Sequence, residues 1–177
     1  MLPARFLTPS ALGACLVVLS CLGSGCSPTV TQPNGISNEA LDLSVAYLGD
    51  DWIVETNQGQ DLVIVPSDPE RQGTLEFVVG PEETGINLVA ALDSHRKEIE
   101  SRPDGAYSGA QELTGPMGTA FYSRGRFKGA DGTVEETRLL SIHPRSSRML
   151  EMVYLYPGGD DSSRRVGELI ELFAEVE

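Results

Sequence analysis

From Leu41 the chain alternates, with Leu41, Leu43, Val45 and Tyr47 separated by Asp42, Ser44 and Ala46. A period of two predicts a half-buried strand. Gly49-Asp50-Asp51 interrupts it and Trp52-Ile53-Val54 resumes it; after a turn at Asn57-Gln58-Gly59, the apolar run Leu62 to Val65 ends at Pro66. Thr74 to Val79, rich in β-branched and aromatic residues, predicts a further strand closed by Gly80-Pro81. The period then changes. Leu88, Leu92, His95 and Ile99 fall at i, i+4, i+7 and i+11, one stripe of a helix over 87–101, with Asn87 as its cap and Pro103 forbidding continuation. The Gly- and Ser-rich stretch that follows reads as a loop. Three long strands come next, over 119–128, 133–143 and 148–156, and Gly129-Ala130-Asp131-Gly132 is a hairpin signal between the first two. That turn puts Arg126 and Lys128 on one face with Glu135, so cross-strand ion pairs are expected. Val166, Leu169, Ile170, Phe173 and Val176 then mark a second amphipathic helix over 162–176, with Asp160 and Asp161 at its cap. Arg164 and Arg165 sit at the wrong end for the helix dipole, yet both can reach Glu168.

This order predicts the α+β class: an antiparallel sheet with a long three-stranded meander and two amphipathic helices packed on it, as a single domain over 39–177. The chain ahead of it is of another kind. No charged residue occurs between Arg5 and Glu39, and Ala11 to Leu22 is apolar or small throughout. A run of roughly 12 such residues after a short basic start is the core of a secretory signal, too short for a bilayer that needs about 20. The uncharged segment Ser27 to Asn38, with Pro28, Pro33 and Gly35, lacks hydrophobic periodicity and reads as a tether.

All three cysteines, Cys15, Cys21 and Cys26, lie in or just after the signal, which excludes a disulfide framework for the exported domain. Leu22-Gly23-Ser24-Gly25 before Cys26 resembles the bacterial lipobox, with Gly23 where that family usually has Leu; Val18-Leu19-Ser20 before Cys21 is the alternative. The resemblance implies removal of residues 1–25, acylation of Cys26 (alternatively Cys21), and a domain held to the membrane by lipid, since two or more acyl chains anchor stably. Ser27 rather than Asp after the cysteine implies the outer membrane under the sorting rule of enteric bacteria. Trp52 in an early strand, a helix before a long meander, Gly118-Thr119-Ala120-Phe121-Tyr122 entering it, and a last helix ending Glu171-Leu172-Phe173 resemble the PsbP-like and DcrB-like group of small exported domains. Leu172 stands where such families often have Ser. That resemblance implies an accessory or binding role and carries over no catalytic residue.

Composition narrows the partners. The 177 residues hold 13 basic and 26 acidic side chains, a net charge of −13, which argues against a nucleic-acid reader, whose phosphate contacts need a basic patch. Arg5 is the one charged residue before Cys26, so from Cys26 the chain carries twelve basic residues against 26 acidic ones, or −14. The expected partners are the membrane, through the N-terminal lipid, and an unidentified protein or small molecule.

The exported part has no P-loop, GxSxG, HExxH or EF-hand spacing, and its histidines are His95 and His143. His95 on the apolar stripe reads as a core histidine, and His143 before Pro144 as a turn residue. No catalytic set, metal site or cofactor is expected. The acidic pairs Asp50-Asp51, Glu82-Glu83, Glu135-Glu136 and Asp160-Asp161 read as turns and helix starts, with a Ca²⁺-dependent structural module or a small carboxylate-based hydrolase as alternatives. Arg124, Arg126 and Lys128 form a basic stripe on one face of a strand, a candidate anion or partner contact.

Overall fold

The computed structural model describes residues 35–82, 85–115, 117–159 and 162–177, Ser162 without its side chain. Its elements are β1 (Ile36–Asn38), β2 (Leu43–Val45), β3 (Trp52–Gln58), β4 (Asp61–Pro66), β5 (Thr74–Val79), α1 (Leu88–Ser101), β6 (Ala106–Gly115), β7 (Gly118–Lys128), β8 (Thr133–Ile142), β9 (Met149–Pro157) and α2 (Ser162–Ala174). Strands β3 to β9 form one antiparallel sheet in the order β3-β4-β5-β9-β8-β7-β6, while β1 and β2 pair separately. The predicted α+β class and the meander are met. β1 lies within the uncharged run read as a tether, and β6 is a ten-residue strand where a loop was expected.

Pairing register decides which side chains meet. Leu75, Phe77, Leu150, Met152, Tyr154 and Leu139 alternate onto one face and are almost wholly buried. Leu43 and Val45 from β2, together with Leu169, Leu172 and Phe173 from α2, close this face into the main core. Each such side chain contributes roughly 1.5–3 kcal/mol by leaving water. Trp52 packs edge-on against Tyr154, with ring centroids 5.3 Å apart.

The opposite face is covered unevenly. α1 starts on Asn87, whose side chain accepts from Ala90 N as predicted, and lies against β6, β7 and β8. Its inward residues are His95 and Ile99. Gly125 on β7 is what allows the approach: a Cβ there would stand 2.7 Å from Ile99 Cγ2. The turn out of α1 is as tight, since a Cβ on Gly105 would fall 1.9 Å from the Ile99 carbonyl oxygen. Beyond α1 this face is open, with Ile53 52% and Val78 37% exposed.

Candidate functional site

A polar constellation lies sealed beneath α1. His95 Nδ1 is 2.7 Å from Ser123 Oγ on β7, and His95 Nε2 is 2.9 Å from Glu136 Oε1 on β8, the latter an electrostatic contact rather than an aligned hydrogen bond. Serine, imidazole and carboxylate in this order have the composition of a nucleophilic triad. Their burial removes that chemistry: Ser123 is 0% exposed and His95 and Glu136 1% each. Tyr107 closes over His95 with an edge-on ring contact, centroids 5.8 Å apart.

The carboxylate is committed elsewhere too. Arg138 donates to Glu136 from Nε at 3.0 Å and Nη2 at 2.7 Å, and Arg102 Nη1 at 3.3 Å. Arg102 also pairs with Glu98 and lies over the Phe127 ring, while Arg138 reaches Glu98 and Glu151. Burial works against the charge on Glu136, but the close contact with His95 and the Arg138 guanidinium outweigh it and hold the carboxyl below its ordinary value. A general acid needs the opposite displacement. The ion network therefore fastens α1 to the sheet.

A groove opens on the other side of the molecule, between the β2–β3 connection and α2. Tyr47, Leu48, Asp51 and Trp52 form one wall; Glu168, Glu171, Leu172 and Glu175, spaced to share one helix face, form the other. Ser67 pins the connection by donating Oγ to the Asp50 carbonyl at 2.7 Å and its N–H to that of Asp51 at 2.8 Å. Arg71 bonds Glu168 and lies 3.8 Å from Asp51, and Arg164 Nε donates to Glu168 at 3.0 Å, as its spacing predicted. Arg165 is buried behind them, donating to the Tyr154 hydroxyl and to the Gln72 carbonyl. The cavity measures about 150 Å³, closer to the room of one long side chain than to a cofactor site, and Tyr47 at its mouth is 51% exposed. Its parts were visible in the sequence as a broken strand and a helix, but not their meeting.

Arg124, Arg126 and Lys128 do share a face of β7, and Glu135 stands directly across from Arg126. The expected cross-strand pairs do not form: among the described residues neither Arg126 nor Lys128 makes an ion pair, and Arg124 has partners of its own. An exposed pair gains little Coulomb energy and must immobilise two long side chains. His143 is buried and central to its turn, its Nδ1 accepting from Arg145 N at 3.2 Å and Ser146 N at 3.1 Å. Glu135 and Glu136 point to opposite faces of β8, and among the described residues no three His, Cys, Asp or Glu gather as a metal site. Cys26, Cys21 and the cap pair Asp160-Asp161 lie outside the described residues. Among those described, no helix is long and apolar enough to cross a membrane.

An antiparallel sheet with a C-terminal helix on one face and an earlier helix on the other defines an α+β sandwich, a fold this chain shares with PsbP and Mog1. Cyanobacterial PsbP from Synechocystis sp. PCC 6803 superposes with a TM-score of 0.54 at 11% identity, covering 88% of this chain and 98% of that one. LpqN, involved in cell envelope biogenesis of Mycobacterium tuberculosis, gives 0.53 at 14% identity over 72% of this chain and 78% of its own. The Saccharomyces cerevisiae Ran-binding protein Mog1p gives 0.54 at 12%, over 81% and 93%. At such identities the likeness is one of fold, and it meets the expected PsbP-like architecture. No protein-family model and no curated protein matches the chain.

Proposed function

We propose that the chain is the precursor of a lipid-anchored protein of the bacterial cell envelope, acylated at Cys26 or alternatively Cys21, whose folded body is a non-catalytic binding or accessory domain. The single observation that carries the non-catalytic reading is the sealing of Ser123, His95 and Glu136 under α1, where no substrate reaches the hydroxyl. Recognition falls instead to open surfaces: the groove at Tyr47 and Trp52, and the basic stripe of β7. The lipobox-like residues before Cys26 support the anchor. Residues 27–35 would give it a reach of about 30 Å when extended, and Ser27 favours the outer membrane.

A fluorophosphonate probe, which phosphonylates activated serines with loss of fluoride, tests the non-catalytic reading. Native full-length chain is expected to stay unlabelled, with labelling at Ser123 appearing only after denaturation if at all. Stoichiometric labelling of the native chain at Ser123 would overturn it.

A second reading, a carboxylate hydrolase, has one observation in its favour: Asp51, Glu168, Glu171 and Glu175 share the groove. Glu168 is held by Arg71 and Arg164, which leaves Glu171 and Glu175 for such work. Hydrolysis of any envelope glycan or ester that is abolished by Glu171→Gln would establish it.

A further inference from the structure

We propose that the exposed cations at the end of β7 dock an extended acidic segment of a partner protein, on the end of the domain that points away from the membrane. The orientation rests on the lipid-anchor reading above; the docking does not.

Placement follows from contacts. The described chain begins at Gly35, packed on the carbonyls of Val45 and Ala46, and Val45 bridges Val176 just beyond α2. Phe173 near the end of α2 covers Gly115, whose register partner is Gly118, the first residue of β7. Chain entry, the end of α2 and the start of β7 therefore occupy one end of the molecule. β7 is 11 residues long and carries Lys128 to the other end, about 33 Å away at roughly 3.3 Å per residue. A tether at Gly35 leaves Arg126 and Lys128 on the far side.

The chemistry of that end selects the ligand. Arg126 and Lys128 are exposed and without ion pairs among the described residues, while Arg124, half-buried and already engaged, flanks them on the same face. Alternate strand residues are about 6.7 Å apart, so the three cations span a row of about 13 Å. One phosphate or carboxylate cannot meet a row of that length. An extended peptide with acids at every second residue has the same repeat, and a guanidinium takes carboxylates in a bidentate fork. Arg126 also stands between two shallow hollows, one of about 410 Å³ reaching Tyr107 and Ser108, the other of about 330 Å³ beside Thr133.

Among the described residues the acids nearby are Glu135, opposite Arg126, and Asp104, on the rim of the second hollow; Asp131 lies in the adjoining hairpin turn. Glu135 is the natural competitor. The rest of the acidic surface is screened, because the Debye length is about 8 Å at physiological ionic strength. That screening leaves the local row to decide which charges approach.

Fluorescence anisotropy of a labelled peptide alternating Glu and Thr, titrated with the full-length chain, tests the proposal. Binding is expected that weakens with salt, falls about tenfold in Arg126→Glu/Lys128→Glu, and tightens in Glu135→Gln, with circular dichroism showing each variant folded. Equal binding by the double variant would overturn it, as would tighter binding of inorganic phosphate, oligo-dT or phosphatidylglycerol vesicles than of the peptide. The orientation is read separately by repeating the titration with the acylated chain seated in neutral vesicles. Retained peptide binding is expected, and loss of binding on seating would overturn the orientation. A chain that does not associate with vesicles at all fails the anchor reading and leaves the peptide result standing.

Discussion

Glu136 is buried, with the equally buried His95 on one side and the partly exposed Arg138 and Arg102 guanidinium groups on the other. Deleting one partner of a buried ionic cluster strands the others, which costs about 3–5 kcal/mol. Glu136→Ala should therefore lower the stability of the chain by that order in urea denaturation. Ser123→Ala, which removes one hydrogen bond to His95, should lose about 1 kcal/mol. Equal losses would mean that Glu136 is not the hub. Acidity tests the same site from another direction. The Glu136 carboxyl is held below its ordinary 4.5 in the fold, so its contribution is present above that pH and lost as pH falls through the lower folded value. Burial lowers His143 from 6.5, with Asp42 opposing and Arg148 reinforcing it. Its Nδ1 accepts two backbone N–H bonds that protonation at that nitrogen removes. Below about 6.5 the unfolded chain binds the proton first, so stability falls as pH drops. Thermal melts between pH 7.5 and pH 4 should show this early decline, and His143→Asn should flatten its upper part. His95 could be placed on an inward stripe from its spacing alone. Ser123 and Glu136 could not be assigned to it, because only the pairing of β7 with β8 brings them to the same helix.

α1 and the meander could be read from the sequence because their periods are strong and their ends are marked by Asn87, Pro103 and Gly129 to Gly132. β6 could not. It is an edge strand, exposed along most of its length, and Leu113 is its one hydrophobic residue packed on the main core, so no alternation records its buried face. The close seat of α1 on β7 was equally silent, since a glycine inside a strand pattern does not say what approaches it. Gly125→Ala would push a methyl group into Ile99, which is itself fully buried. A loss of about 1–3 kcal/mol is expected, with Ile99→Ala, which removes the γ carbons that the methyl would meet, relieving part of it in the double variant. Additive losses in that pair would show that the two side chains do not share the space described.

The domain's two faces divide its tasks. One is closed by α2 and β2 into the core; the other is fastened by the ion network under α1 and open beyond it. Charge is distributed unevenly as well, with carboxylates along the groove beside α2 and the exposed cations Arg126 and Lys128 at the far end of β7. A body of −14 from Cys26 onward has no electrostatic reason to settle on an anionic bilayer, so a lipid and an uncharged spacer are a physically consistent way to keep it at the membrane. Fold class and charge were both available before any coordinates, whereas the groove and the sealed Ser123–His95–Glu136 site needed the register of strands distant in sequence. The proposal that this is a tethered binding domain is tested most directly by mass spectrometry of the mature N-terminus from the membrane fraction of a bacterial host. The predicted result is a chain beginning at Cys26 and carrying a diacylglyceryl-type adduct. An unmodified cysteine, or cleavage at a site other than Cys26 or Cys21, would contradict it.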